Sequence, residues 1–298
     1  MVKTSEHMHD RPLISAGELN DRLGADDLAV IDCRFYLAEP DRGESEYLES
    51  HIPGAIYAHL DRALSAPKTG TNGRHPLPEI AIIKKQFSDW GIDTNVQVVA
   101  YDADAGQIAA RLWWMLRYLG HEQVAVLEGG FGAWAKAGHP TRGGREERSA
   151  RSFQARPQTS MRIDIADLLR LNKTAPRLLI DARDPVRYRG DKEPIDPVGG
   201  HIPGARNRPW QENLDQDGFF LSSETLKEHY ARVFRGASPD TTVVYCGSGV
   251  TACHDLLAME HAGIRGARLY PGSWSEWCAD PARPVETGPE PQATRPPD

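Results

Sequence analysis

The chain has 298 residues, 40% of them hydrophobic and 26% charged, with a formal net charge of −7. These are the proportions of a soluble globular protein long enough for two cores, and the acidic balance argues against general nucleic-acid binding though not against a local basic pocket. No run of about 18 apolar residues is present, so no membrane span is expected, and MVKTSEHMHDRPLISAGEL at the N-terminus has neither the apolar core of a signal peptide nor the composition of a transit peptide.

In chain order, Leu28–Ile31 is the first β-branched apolar run that reads as a buried strand. SHIPGA follows around His51. Val96–Tyr101 reads as a second strand, and Gln107–Leu119 as a helix that stops at Gly120. LEGGFGAW (Leu127–Trp134) ends this half. Residues 144–159 are charged, apolar-poor and contain Pro157, which reads as a linker. Strand, HIPGA, strand and helix then return as Leu178–Asp181, GHIPGA around His201, Thr241–Tyr245 and Val250–Ala262, the last stopping at Gly263. LYPGSWSEW (Leu269–Trp277) answers LEGGFGAW. Residues 287–298 read as a disordered tail.

Asp32 thus recurs as Asp181, His51 as His201 and Asp102 as Cys246, in one order and at nearly constant offset. A period this long is a duplicated domain. The expectation is an N-terminal domain over 1–143 and a C-terminal domain over 160–286. Each is α/β, a parallel sheet flanked by helices, with ligands at the carboxyl ends of the strands.

Four cysteines, Cys33, Cys246, Cys253 and Cys278, are too few for a disulfide scaffold, and none has zinc-site spacing. Reduced thiols, a cytoplasmic location and no metal are expected. Cys246 stands apart because it sits where a strand turns into a helix, followed by Gly247 and Gly249. The corresponding residue of the first copy is Asp102, so packing does not demand a thiol there. Backbone N–H groups and the helix dipole at such a turn favour an anion and lower a thiol pKa. Residues Gly247, Ser248, Gly249, Val250 and Thr251 would form the cradle of a thiolate or persulfide. Cys33, Cys253 and Cys278 read as inert, Trp113, Trp114, Trp134, Trp274 and Trp277 as packing, and His51 and His201 as turn residues.

The paired HIPGA motifs, the CGSGVT loop and the PGSWSEW segment resemble the two-domain rhodanese superfamily over roughly residues 12–285. The neutral loop resembles the 3-mercaptopyruvate sulfurtransferase branch. Thiosulfate-preferring relatives carry basic residues where this chain has Gly247-Ser248. The resemblance implies a monomeric enzyme without organic cofactor, passing sulfane sulfur from a small-molecule donor, through a persulfide on Cys246, to a thiol such as thioredoxin or a small thiol, or to cyanide. It also implies that Ser248 works with His75 and Asp61, and that Arg187 binds the donor carboxylate. A second substrate arginine of the family is absent: Ile195-Asp196 stands there, leaving Arg74, Arg189, Arg206 and Arg208 as alternatives. A cysteine phosphatase would need an arginine six residues after the nucleophile, where this chain has Ala252, and a non-catalytic sulfur carrier would need only Cys246. A thiosulfate enzyme of the same fold is the remaining rival.

Overall fold

A computed structural model describes residues 11–171 and 177–290. Of the tail expected over 287–298, residues 291–298 lie outside the described residues, while in 287–290 the Gly288 N–H donates to the Arg189 carbonyl at 2.8 Å and Glu290 Oε1 accepts from the Asn207 N–H at 2.7 Å. The first sheet is built from β1 (Leu13–Ile14), β2 (Leu28–Asp32), β3 (Ile56–Tyr57), β4 (Gln97–Tyr101) and β5 (Val124–Leu127), in the spatial order β1-β5-β4-β2-β3. The second is built from β6 (Leu178–Asp181), β7 (Arg206–Asn207), β8 (Thr242–Tyr245) and β9 (Arg268–Leu269), in the order β7-β6-β8-β9. Every strand pair is parallel. The order is the same in both copies, β3-β2-β4-β5 matching β7-β6-β8-β9. In place of β1, the second copy has, among the described residues, a bridge from Arg162 to Leu269.

The central strands β2, β4, β6 and β8 are buried along their whole length, as apolar runs covered on both faces must be. The repeated I-D-x-R has a mechanical reason. Arg34 folds back on Asp32, and Arg183 on Asp181, with Nη2 to carboxylate distances of 2.6 and 2.7 Å. HIPGA is structural in both copies. The His51 ring stacks on Tyr47 and its Nδ1 donates to the Tyr47 carbonyl at 2.6 Å. His201 does the same with Tyr188 at 2.8 Å.

Helices Ala109–Tyr118 and Ala252–His261 pack against each other across the two halves, and nearly every side chain of both is buried. A helix buried on nearly every side needs cover all round, and the sheet plus the other copy's helix supplies it. One continuous core therefore runs through both copies, from Leu112 and Met115 to Leu257 and Met259. Residues 144–158 form neither helix nor strand, yet are fastened down: Phe153 is buried, and the N–H groups of Arg156 and Gln158 donate to Leu119 and Tyr118 carbonyls at 2.8 and 2.7 Å. Among the described residues no helix is long and apolar enough to cross a membrane.

Candidate active site

Cys246 follows β8 directly and is buried, 1% exposed. Its loop is backed by the segment that starts the helix Ser273–Trp277. The Cys246 N–H donates to Ser273 Oγ at 3.1 Å, its carbonyl accepts from Trp274 N–H at 2.9 Å, and the Gly247 carbonyl accepts from Ser275 N–H at 2.9 Å. The first copy has the same braces, Phe131 N–H to Asp102 O and Gly132 N–H to Ala103 O, at 2.8 and 2.9 Å. Gly130, the counterpart of Ser273, has φ 55°, and so does Ser273. A serine in this region is strained, and its hydroxyl is what meets the Cys246 N–H.

The cradle differs between copies in the way the residues require. In the first, Asp102 fills it: its carboxylate accepts from the N–H groups of Gly106, Ile108 and Ala109 at 2.9, 2.7 and 3.0 Å. In the second, Gly249 N–H donates to Cys246 Sγ at 3.2 Å. The N–H groups of Val250 and Thr251 donate to no acceptor among the described residues. Gly249 has φ 74°, and a Cβ on it would overlap the Pro271 carbonyl, so glycine is required there. A Cβ on Gly247 would lie 2.7 Å from Arg74 Nη2 and 3.5 Å from Arg187 Nη1. The glycine lets both guanidiniums approach the loop.

His75 and Asp61 come from the first copy and reach this loop. His75 Nδ1 lies 2.7 Å from Ser248 Oγ, and its Nε2 lies 3.4 Å from Asp61 Oδ1. The second contact is an approach without hydrogen-bond geometry, since neither atom has a hydrogen-bond partner. His75 is 4% exposed. Burial, reinforced by Arg74, Arg111 and Lys68, pushes its pKa down to about 3. The imidazole is therefore neutral near pH 7 and can accept from the Ser248 hydroxyl.

Arg187 is held rather than free. Its Nε donates to both Glu193 oxygens at 2.9 and 3.0 Å, and its Nη2 to Asp196 Oδ2 at 2.8 Å. Arg74 Nη1 pairs with the other Asp196 oxygen. Burial pushes the Asp196 carboxyl up, while Arg74 and Arg187 pull it down. Asp196, at the position of the absent arginine, thus yokes two arginines together. Of the four alternatives, Arg189 pairs with Asp191 and Arg206 with the Val233 carbonyl. Arg208 is buried against Asn213, Tyr230 and Asp255. Arg74 alone of the four lines the cavity of about 500 Å³ that opens onto Cys246, Gly247, Ser248, Val250 and Thr251, beside His75 and Arg187. Asp61 and Gly249 do not line it. Sequence reasoning missed Glu193 and Ser273. The only signal for Arg74 was its position directly before His75.

Comparison with known proteins places the whole chain in a family. The rhodanese-like domain family matches residues 15–137 and 164–280. A protein of Pseudomonas aeruginosa named "Probable 3-mercaptopyruvate sulfurtransferase" is 47% identical over 283 residues, covering 94% of this chain and 100% of its own. A thiosulfate sulfurtransferase of Mus musculus is 34% identical over 264 residues, covering 86% of each. Among solved structures, the 3-mercaptopyruvate sulfurtransferase of Leishmania major superposes with a TM-score of 0.80 at 30% identity, over 92% of this chain and 75% of that one. The SseA structure from Escherichia coli, described as a 3-mercaptopyruvate sulfotransferase, does so with 0.76 at 30% identity, over 89% and 99%. Both halves of this chain therefore belong to the rhodanese-like family, and the chain is a sulfurtransferase within it.

Proposed function

We propose that the protein moves sulfane sulfur from 3-mercaptopyruvate to a thiol acceptor, or to cyanide, through a persulfide on Cys246. The observation that carries this reading is the Ser248–His75 contact at 2.7 Å in a neutral loop beneath two arginines. Arg187 Nη1 and Arg74 Nη2 face the loop and suit a donor carboxylate. The Cys246 thiolate attacks the donor sulfur. A sulfur–sulfur bond forms, the carbon–sulfur bond breaks, and its electron pair leaves as the enolate of pyruvate. The proton of the donor thiol passes by way of Ser248 and His75 to the enolate carbon. The N–H groups of Gly249, Val250 and Thr251 hold the persulfide. An acceptor thiolate or cyanide then bonds to the outer sulfur, and the electron pair of the broken bond returns to Cys246. Four unpaired cysteines fit a reducing, cytoplasmic setting.

A second reading, thiosulfate as donor, is favoured by one observation: two guanidiniums close to Gly247 also suit a dianion. Steady-state transfer to cyanide from each donor, with wild type and Cys246→Ala, separates them. A kcat/KM preference for 3-mercaptopyruvate, lost in the variant, is the expected result. A preference for thiosulfate overturns the donor assignment. Absence of Cys246-dependent turnover with either overturns the reading.

A further inference from the structure

Arg111 is the third residue of the helix Ala109–Tyr118 and is completely buried. It belongs to the first copy but lies beneath the Cys246 loop of the second. Its guanidinium donates to three carbonyls: Gly249 at 2.9 Å, His75 at 3.3 Å and Leu64 at 3.5 Å. Its Nε has no hydrogen-bond partner, and among the described residues it pairs with no carboxylate. A cation desolvated without a counter-charge is costly. Its presence asks for an anion.

The duplication supplies the comparison. The third residue of the helix Ala252–His261 is His254, also completely buried, and its Nε2 donates to the Ala105 carbonyl in the Asp102 loop at 2.9 Å. Each helix thus bonds a carbonyl of the other copy's strand-to-helix loop. Burial pushes His254 down to about 3, so a neutral donor closes the contact over the Asp102 loop. Docking one loop on the opposing helix needs a hydrogen-bond donor and no charge. The permanent charge is found only under the loop that carries the thiol.

We infer that Arg111 is a positioning residue whose buried charge serves as counter-ion to the anionic forms of Cys246, the thiolate and the persulfide. This rests on the reading that Cys246 carries the sulfur. The other groups around Cys246 are accounted for. On the cavity side Arg74 and Arg187 are paired with Asp196 and Glu193, and Arg183 with Asp181. His75 is neutral, with Asp61 beyond it. On the helix side Cys253 donates its S–H to the same Gly249 carbonyl, at 3.4 Å, and burial pushes its thiol up to about 12. Burial lowers the Arg111 pKa as well, opposed by the thiols of Cys253 and Cys246 with no carboxylate contributing. A guanidinium remains protonated under such a shift.

The test is the pH dependence of Cys246 alkylation by iodoacetamide, followed on the Cys246 peptide by mass spectrometry, with no donor present. Arg111→Gln keeps N–H donors for the carbonyls and removes the charge. It should move the alkylation midpoint upward and slow alkylation at pH 7 about tenfold, the factor for one pKa unit. Arg111→Lys should restore most of the loss. If Arg111→Gln does not fold, Arg111→His, the residue tolerated at the reciprocal site, takes its place. A folded neutral variant with the wild-type midpoint overturns the inference. So do equal shifts in the neutral and lysine variants, which would mean geometry alone. Because no donor is used, either result is independent of whether wild type turns over 3-mercaptopyruvate.

Discussion

Removing the Ser273 hydroxyl probes the brace behind Cys246. Ser273→Ala keeps the residue at φ 55° and leaves the buried Cys246 N–H and the Tyr270 carbonyl without the hydroxyl they share at 3.1 and 2.9 Å. An unsatisfied buried group costs about 1–3 kcal/mol, so the alanine variant should lose about that much stability. Ser273→Gly loses the same hydroxyl but releases the left-handed strain of a β-carbon, about 1–2 kcal/mol. Part of this is returned through the freer unfolded chain, about 0.4–1 kcal/mol. The glycine variant should therefore be more stable than the alanine variant by roughly 0.5–1 kcal/mol, although it removes more atoms. Urea denaturation of the three proteins, with equal slopes, measures this directly. An alanine variant as stable as wild type, or a glycine variant below the alanine one, would refute the assignment of both strain and hydrogen bond to this residue.

Acid should destabilise the protein. His75 and His254 are pushed down to about 3 by burial, and Asp255 up to about 6 by burial. Below pH 6.5 the unfolded chain binds protons that both native histidines refuse, so stability falls from there toward pH 3. Asp255 opposes this between about pH 6 and 3.8. Burial likewise lowers His59, His121 and His261 and raises Asp102, Asp196 and Glu128. A net loss on the order of 2 kcal/mol at pH 5 is expected, seen as a falling Tm, and a Tm constant from pH 7 to 5 would contradict it. Asp196→Ala should free Arg74 Nη1 and Arg187 Nη2, with Arg187 still held on Glu193 through its Nε, and make the cavity more positive. The KM for thiosulfate should then fall several-fold relative to that for 3-mercaptopyruvate. An unchanged ratio would show that Asp196 does not set donor choice.

The duplication was legible because HIPGA, I-D-x-R and the Gly-Phe or Ser-Trp segments hold their places by backbone demands common to both copies. Strand and helix positions followed from β-branched runs and glycine stops, and their ends lie within a residue or two of the expectation at β2, β4, β6 and β8. Arg74 could not be chosen among four arginines because its place depends on how the first copy docks on the second. Arg111 reads as one polar residue in an apolar helix; that it lacks a carboxylate is a property of the interface. The sign of a φ angle is not written in the sequence, so Ser273 gave no warning of its conformation.

The Asp102 carboxylate, gripped by three backbone N–H groups in the first copy, sets a limit on how the two halves can exchange roles. In the thiol-bearing turn only the Gly249 N–H meets the sulfur, and losing the thiol would leave that amide bare as well, whereas an acidic side chain with one extra loop residue retires the site and occupies three amides. The reverse path is steeper. A cysteine at 102 would meet a turn of the wrong length, facing a neutral histidine across the interface. Single substitutions can therefore silence the second half, whereas reviving the first would take coordinated change in loop length, opposing helix and nucleophile, a ratchet built from hydrogen bonds.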